Sequence, residues 1–138
     1  MSTSSKAHSK MAWLISMLVL FCFFGCVAPE KCISLKNGCS NGGLFDSYKA
    51  LFTPACNEHD VCYFCGHYFD ISKIDCDNRF YVDMKRTCNQ NGGWGCTTYA
   101  FIYYSATRLF GTPFYTDFMF PICRKKCVED ILIKDHKH

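Results

Sequence analysis

Apolar and polar residues divide the chain into one unbroken hydrophobic run and three segments of helical period. The run, Met11 to Ala28, reads MAWLISMLVLFCFFGCVA and holds 18 residues without a charge. A polar, Lys-bearing start precedes it and a Cys-x-Ala step ends it, the pattern of a secretory signal peptide cleaved after Ala28. A run of this length also reaches the lower limit for a membrane span, but the only basic residue close behind it is Lys31. The expected division is a signal peptide over 1–28 and a mature domain over 29–138. Further along, Thr53 and Pro54 supply a capping residue and a first-turn proline, which predicts a helix from Pro54 to about Cys65, closed by Gly66. Ser72 and Asp75 form a Ser-x-x-Asp start for a second helix reaching Cys88, with Asp77, Tyr81, Met84 and Cys88 on one stripe. A third, Thr97 to Phe110, gathers Tyr99, Ile102, Tyr103, Ala106 and Phe110 on one face before Gly111. The tail from Thr112 to His138 is less regular.

Cysteine content changes this picture most. Of the 12 cysteines, Cys22 and Cys26 fall in the leader, and the other ten lie after residue 28. So dense and even a set in an exported chain reads as a disulfide scaffold whose pairing the count alone cannot give. The expected fold class is a small, mainly α, disulfide-rich domain, secreted to the extracellular space, with bridges supplementing a core that a chain this short only partly provides. Losing Lys6 and Lys10 with the leader takes the formal charge from +3 to +1. Nothing there argues for nucleic acid. The triplet Arg124 to Lys126 reads first as a solvated basic face. Before the first helix, KNGCSNGG, Lys36 to Gly43, is loop chemistry that exposes backbone carbonyls.

The first helix carries the candidate chemistry. Cys56, His59, Asp60 and Tyr63 stand at i, i+3, i+4 and i+7, so they share a face. That spacing collects a base, a carboxylate and a phenol. A His beside a solvated Asp is one alternative. A zinc site at His59, Cys62 and Cys65 is another, weakened by the lack of a second ligand pair. A redox Cys-x-x-Cys would need a strand leading into its helix, and none is evident.

The stretch CNEHDVCYFCG, Cys56 to Gly66, resembles the active-site helix of secreted phospholipases A2, whose pattern is Cys-Cys-x-x-His-Asp-x-Cys-Tyr. CDNRFYVDMKRTC, Cys76 to Cys88, resembles the second long helix of the bacterial and fungal branch. NGCSNGG stands where that family keeps its calcium loop. The arrangement as a whole is most similar to the conodipines of cone-snail venom. The resemblance implies two antiparallel helices carrying the active site, with His59 as general base and Asp77 as its orienting partner. It implies a Ca²⁺ site made by the Asp60 carboxylate with Asn37 and the Gly38 carbonyl, and it makes Tyr63, on the substrate-binding side, a phenol that supports Asp77. It also implies bridges from Cys39 to Cys56 and from Cys62 to Cys76.

The implied activity is calcium-dependent hydrolysis of the sn-2 acyl ester of glycerophospholipids at a membrane surface, as a venom component. The alternative is a catalytically weak phospholipase-like toxin that binds a receptor or channel. Imidazole suits a base that activates water near neutral pH, and a carboxylate sets its tautomer. Calcium takes hard oxygen ligands and neutralises phosphate and oxyanion charge. Two positions depart from the pattern: Asn57 replaces the second Cys of the Cys-Cys pair, and Asn37 stands where the bacterial and fungal branch has Asp. Asp83 rivals Asp77 for the orienting role, but it lies six residues on, about 240° round the helix, and reads as a solvent-facing charge. The basic steps at Met84 to Arg86 and Arg124 to Lys126 are candidate protease sites for a two-chain form.

Overall fold

The computed structural model describes Cys32, residues 35–40 and residues 46–134; the expected signal peptide at 1–28 lies outside the described residues. Three helices build the frame: α1, Lys49–Cys65; α2, Lys73–Asn91; and α3, Cys96–Phe110. A short helix, α4, Lys126–Glu129, leads into one turn of π-helix, Asp130–Lys134. The described residues contain no strand. This is a small, disulfide-rich, mainly helical domain. No described helix is long and apolar enough to cross a membrane.

The first helix begins earlier than its sequence signals. It starts at Lys49, after a 3₁₀ turn over Asp46–Tyr48, so Pro54 lies inside it. Pro54 has no N–H for the carbonyl of Ala50 one turn back, and Ala50 is exposed. The Thr53 hydroxyl, read as a cap, instead donates to the Lys49 carbonyl at 2.8 Å. Nor does Gly66 end the chain's helical path with positive φ: it is right-handed (φ −56°), and a 3₁₀ turn continues to Phe69 before Asp70 takes φ 55°.

The second helix starts where the sequence places it. The Ser72 hydroxyl accepts from the Asp75 N–H, and Asp75 accepts from the Ser72 N–H in return, a complete capping box. Its buried positions, Cys76, Asp77, Phe80 and Met84, replace the expected stripe, for Tyr81 and Cys88 are only half-buried. On α3 the inward residues are Cys96, Ala100 and Tyr103, while Ala106 and Phe110 face outward. The Cys88–Cys96 bridge fixes the start of α3 against the last turns of α2.

Contacts between α1 and α2 run in opposite order along the two chains: Cys62 meets Cys76, and His59 meets Asp77 and then Phe80. The pair is therefore antiparallel. The core has two parts. Phe52, Ala55 and Cys56 of α1 pack with Phe80, Met84, Ala100 and Tyr103. Val61, Cys62, Tyr63 and Cys65 pack instead with Cys123, Val128 and Leu132 of the tail. The tail is tied back by Cys65–Cys123 and Cys32–Cys127.

Candidate active site

His59 and Asp77 sit where these two cores meet. Two of the bridges set their registers, since Cys62–Cys76 joins the helices three residues after His59 and one before Asp77, and Cys39–Cys56 holds the Gly-rich loop to α1. His59 Nε2 lies 3.0 Å from Asp77 Oδ1, with the imidazole 8% and the carboxylate 0% exposed. The imidazole is clasped between rings, 4.0 Å from the Tyr63 centroid and 4.5 Å from that of Phe80. The Tyr63 hydroxyl donates to the same Asp77 oxygen at 2.6 Å. It is spent on Asp77 rather than turned to an open face.

Three groups that the sequence reading did not single out complete this cluster. Lys73 Nζ donates to Asp77 Oδ2 at 2.8 Å and to the Thr107 carbonyl at 2.9 Å. Arg108 adds its charge with Nη1 3.9 Å from Asp77 Oδ2. Their signal in the sequence was faint, a Lys in the first turn of a helix where the macrodipole disfavours cations. Burial pushes the Asp77 carboxyl up, but hydrogen bonds from His59, Lys73 and Tyr63 and the Lys73 charge outweigh it and hold the group at about 2. Burial, with the bond to Asp77 and its charge, raises the Tyr63 phenol far above its ordinary value.

Asp60 points to the loop. Its Oδ2 accepts the Asn37 N–H at 2.9 Å, and Asn57 Oδ1 accepts the Gly38 N–H at 3.1 Å. Asn57, at the position of the second Cys in the resembled pattern, thus ties the loop to α1 without a bridge. Burial pushes the Asp60 carboxyl up, and the Asn37 N–H, the nearby His59 and the Gly38 N–H oppose it only in part. A terminal atom of the Asn37 amide lies 2.8 Å from Asp60 Oδ2 and 3.1 Å from the Gly38 carbonyl oxygen. With nitrogen there, the amide donates to both. The carboxylate, amide and backbone carbonyl gathered here are the kinds of hard oxygen donor that calcium takes. The donor chemistry fits calcium, with one carboxylate in the set.

The other readings of these residues fall away on geometry. Cys62 and Cys65 pair with Cys76 and Cys123, so they form neither a zinc site nor a redox pair with each other. Asp83 does not face solvent as expected: its side chain is 12% exposed and accepts from Arg86 Nη1 at 2.9 Å. Together with His59, Glu58 and Arg79 it lines a small cavity closed by Ile131 and Leu132 of the tail. Arg79 holds that tail by donating to the Leu132 carbonyl at 2.8 Å.

Proteins similar to this chain include conodipine-P1 and conodipine-P2 of Conus purpurascens, each 34% identical over 92 residues, 67% of this chain and 51% of the relative. The conodipine-M alpha chain of Conus magus is 37% identical over 59 residues, 43% of this chain and 77% of the relative. The chain spans about half the length of the Conus purpurascens relatives it matches. No family model matches it, and no solved structure matches it.

Proposed function

The chain belongs to the conodipine family, and on that premise we propose that it is a secreted, calcium-dependent phospholipase A2. Its substrate is the sn-2 acyl ester of glycerophospholipids presented at a membrane surface, to which it binds peripherally as a venom component. The observation that carries the reading is the buried pair of His59 Nε2 on α1 and Asp77 Oδ1 on α2 at 3.0 Å, with Asp60 next to His59 on α1.

Asp77 holds the ring proton on Nε2, which leaves Nδ1 of His59 as the base. Nδ1 takes a proton from water while the hydroxyl oxygen adds to the ester carbonyl carbon. The bond from that carbon to the glycerol oxygen then breaks, and His59 returns the proton to the departing alkoxide. The products are a free fatty acid and a lysophospholipid. Tyr63 and Phe80 keep the imidazole from turning away from Asp77. Asp60, the Asn37 side chain and the Gly38 carbonyl would hold calcium, which would supply positive charge for the lipid phosphate and the ester oxygen.

A second reading is favoured by one observation. Among the described residues, Asp60 is the carboxylate that bonds the loop, at the Asn37 N–H, and no group of three His, Cys, Asp or Glu side chains is arranged for a metal. Calcium affinity set by so little charge is weak, which suits a toxin that binds a receptor or channel without useful turnover. Hydrolysis of phosphatidylcholine vesicles, with and without a chelator, separates the two. The enzyme requires chelator-sensitive turnover that falls about a hundredfold to ten-thousandfold in His59→Gln. Turnover at background level with and without calcium supports the binding protein.

A two-chain form accords with the name of the Conus magus relative, an alpha chain. Arg124, Lys125 and Lys126 are exposed between two short helical turns, whereas Met84 to Arg86 lie within α2. A cut in the triplet would leave the two pieces joined through Cys32–Cys127, while Cys65–Cys123 would lie wholly within the larger piece.

A further inference from the structure

Asp77 presents its two oxygens to different partners. Oδ1 is shared by His59 and Tyr63, and Oδ2 is gripped at hydrogen-bond distance by Lys73, with Arg108 at 3.9 Å acting only as a nearby charge. This division matters because the last torsion of an Asp side chain is soft. A carboxylate held by one oxygen swings the other about its Cβ–Cγ bond, and the direction of the remaining lone pairs swings with it. Held by both oxygens, its plane is fixed.

Lys73 is placed against local preference. It is the first residue of α2, at the positive end of the helix dipole, and it precedes its acid by four residues, the weaker order for an i, i+4 pair. What compensates lies outside its own helix. The ammonium also bonds the Thr107 carbonyl in the last turn of α3, where a cation is favoured, and it stands 5.6 Å from the Tyr63 ring centroid. One side chain thereby joins the start of α2, the end of α3 and the tyrosine of α1 around one carboxylate. Only 16% of it is exposed.

We propose that Lys73 is the positioning residue of the pair: by bonding Asp77 Oδ2 and the Thr107 carbonyl together, it fixes the Asp77 carboxylate plane so that Oδ1 stays in line with His59 Nε2. This deepens the hydrolytic reading of the same site and rests on it. Lys73 acts through Asp77 and touches no reacting atom. Tyr63 cannot replace it, because Tyr63 binds the oxygen that His59 already uses. Arg108 cannot either, because its distance is too long to set a direction.

The test compares the disulfide-bonded protein with Lys73→Met, which keeps the stem and removes the donors, and with Lys73→Arg, which keeps charge and donors. Lys73→Gln, a neutral donor, stands in if the methionine variant does not fold. In Lys73→Met, kcat on phosphatidylcholine vesicles should fall about tenfold to a hundredfold, with KM changed by less than about twofold, the pattern of an interaction lost at the chemical step. Lys73→Arg should recover most of the rate. Independently of activity, the proton NMR signal of the His59 Nε2–H bonded to Asp77 should stand downfield in the parent and in Lys73→Arg. It should move or broaden away in Lys73→Met. A methionine variant with parental kcat and an unmoved signal overturns the inference. If the parent hydrolyses no lipid, the hydrolytic reading fails, and the NMR signal still decides whether Lys73 positions the pair.

Discussion

Asp77 has no exposed surface and yet keeps its charge, because His59, Tyr63, Lys73 and Arg108 surround it. Its folded-state pKa, about 2, lies below its ordinary value of 3.8. A depressed carboxyl gives stability that is present above the unfolded-state pKa and is lost as pH falls toward the folded-state one. The melting temperature of the parent should therefore decline between pH 4 and 2, while Asp77→Asn, less stable at neutral pH, should lack that part of the decline. Gly111 is a second residue with a definite cost. An added Cβ there would strike the Tyr63 hydroxyl and the Thr107 carbonyl. Gly111→Ala should push Tyr63 off Asp77 and cost about 1 to 3 kcal/mol, read from the guanidinium midpoint.

Among the helices, α2 has the clearest start, since Ser72 and Asp75 satisfy each other's N–H groups. Ser72→Ala should cost about 1 kcal/mol by chemical denaturation. Because that cap fixes the first turn, it also fixes where Lys73 and Asp77 stand. In α1, by contrast, local signals mislead. Thr53 and Pro54 look like a helix start, but Phe52 is fully buried against Tyr103, with ring centroids 5.5 Å apart, and this packing lies within a helix that already began at Lys49. Burying a Phe is worth roughly 1.5 to 3 kcal/mol, which helps to offset the bond that Pro54 cannot make.

At the scale of the molecule, five bridges among the described residues join segments that the helices alone would leave apart. Their loop lengths differ widely: Cys32–Cys127 spans 95 residues of sequence and Cys88–Cys96 only 8. Closing the longer loop removes more freedom from the unfolded chain, about 4 to 5 kcal/mol against about 2 to 3 kcal/mol for the short one on the loop-entropy account. The double variant Cys32→Ser with Cys127→Ser should accordingly lower the guanidinium midpoint more than Cys88→Ser with Cys96→Ser. Mass before and after reduction checks that the remaining bridges are in place.

The sequence by itself determined the helical class, the capping box, the His-Asp face of α1 and the dense cysteine scaffold. These features rest on spacing and local chemistry, which a single segment carries within itself. Only the tertiary structure decided that α1 starts at Lys49, that the buried stripe of α3 runs through Ala100 and Tyr103, and that Asn57 fastens the loop. It alone brought Lys73, Thr107 and Arg108 to Asp77. Thr107 stands 34 residues beyond Lys73, and no local period links such positions. Their meeting depends on how α3 folds back after the Cys88–Cys96 turn, and burial energy summed over both cores sets that geometry.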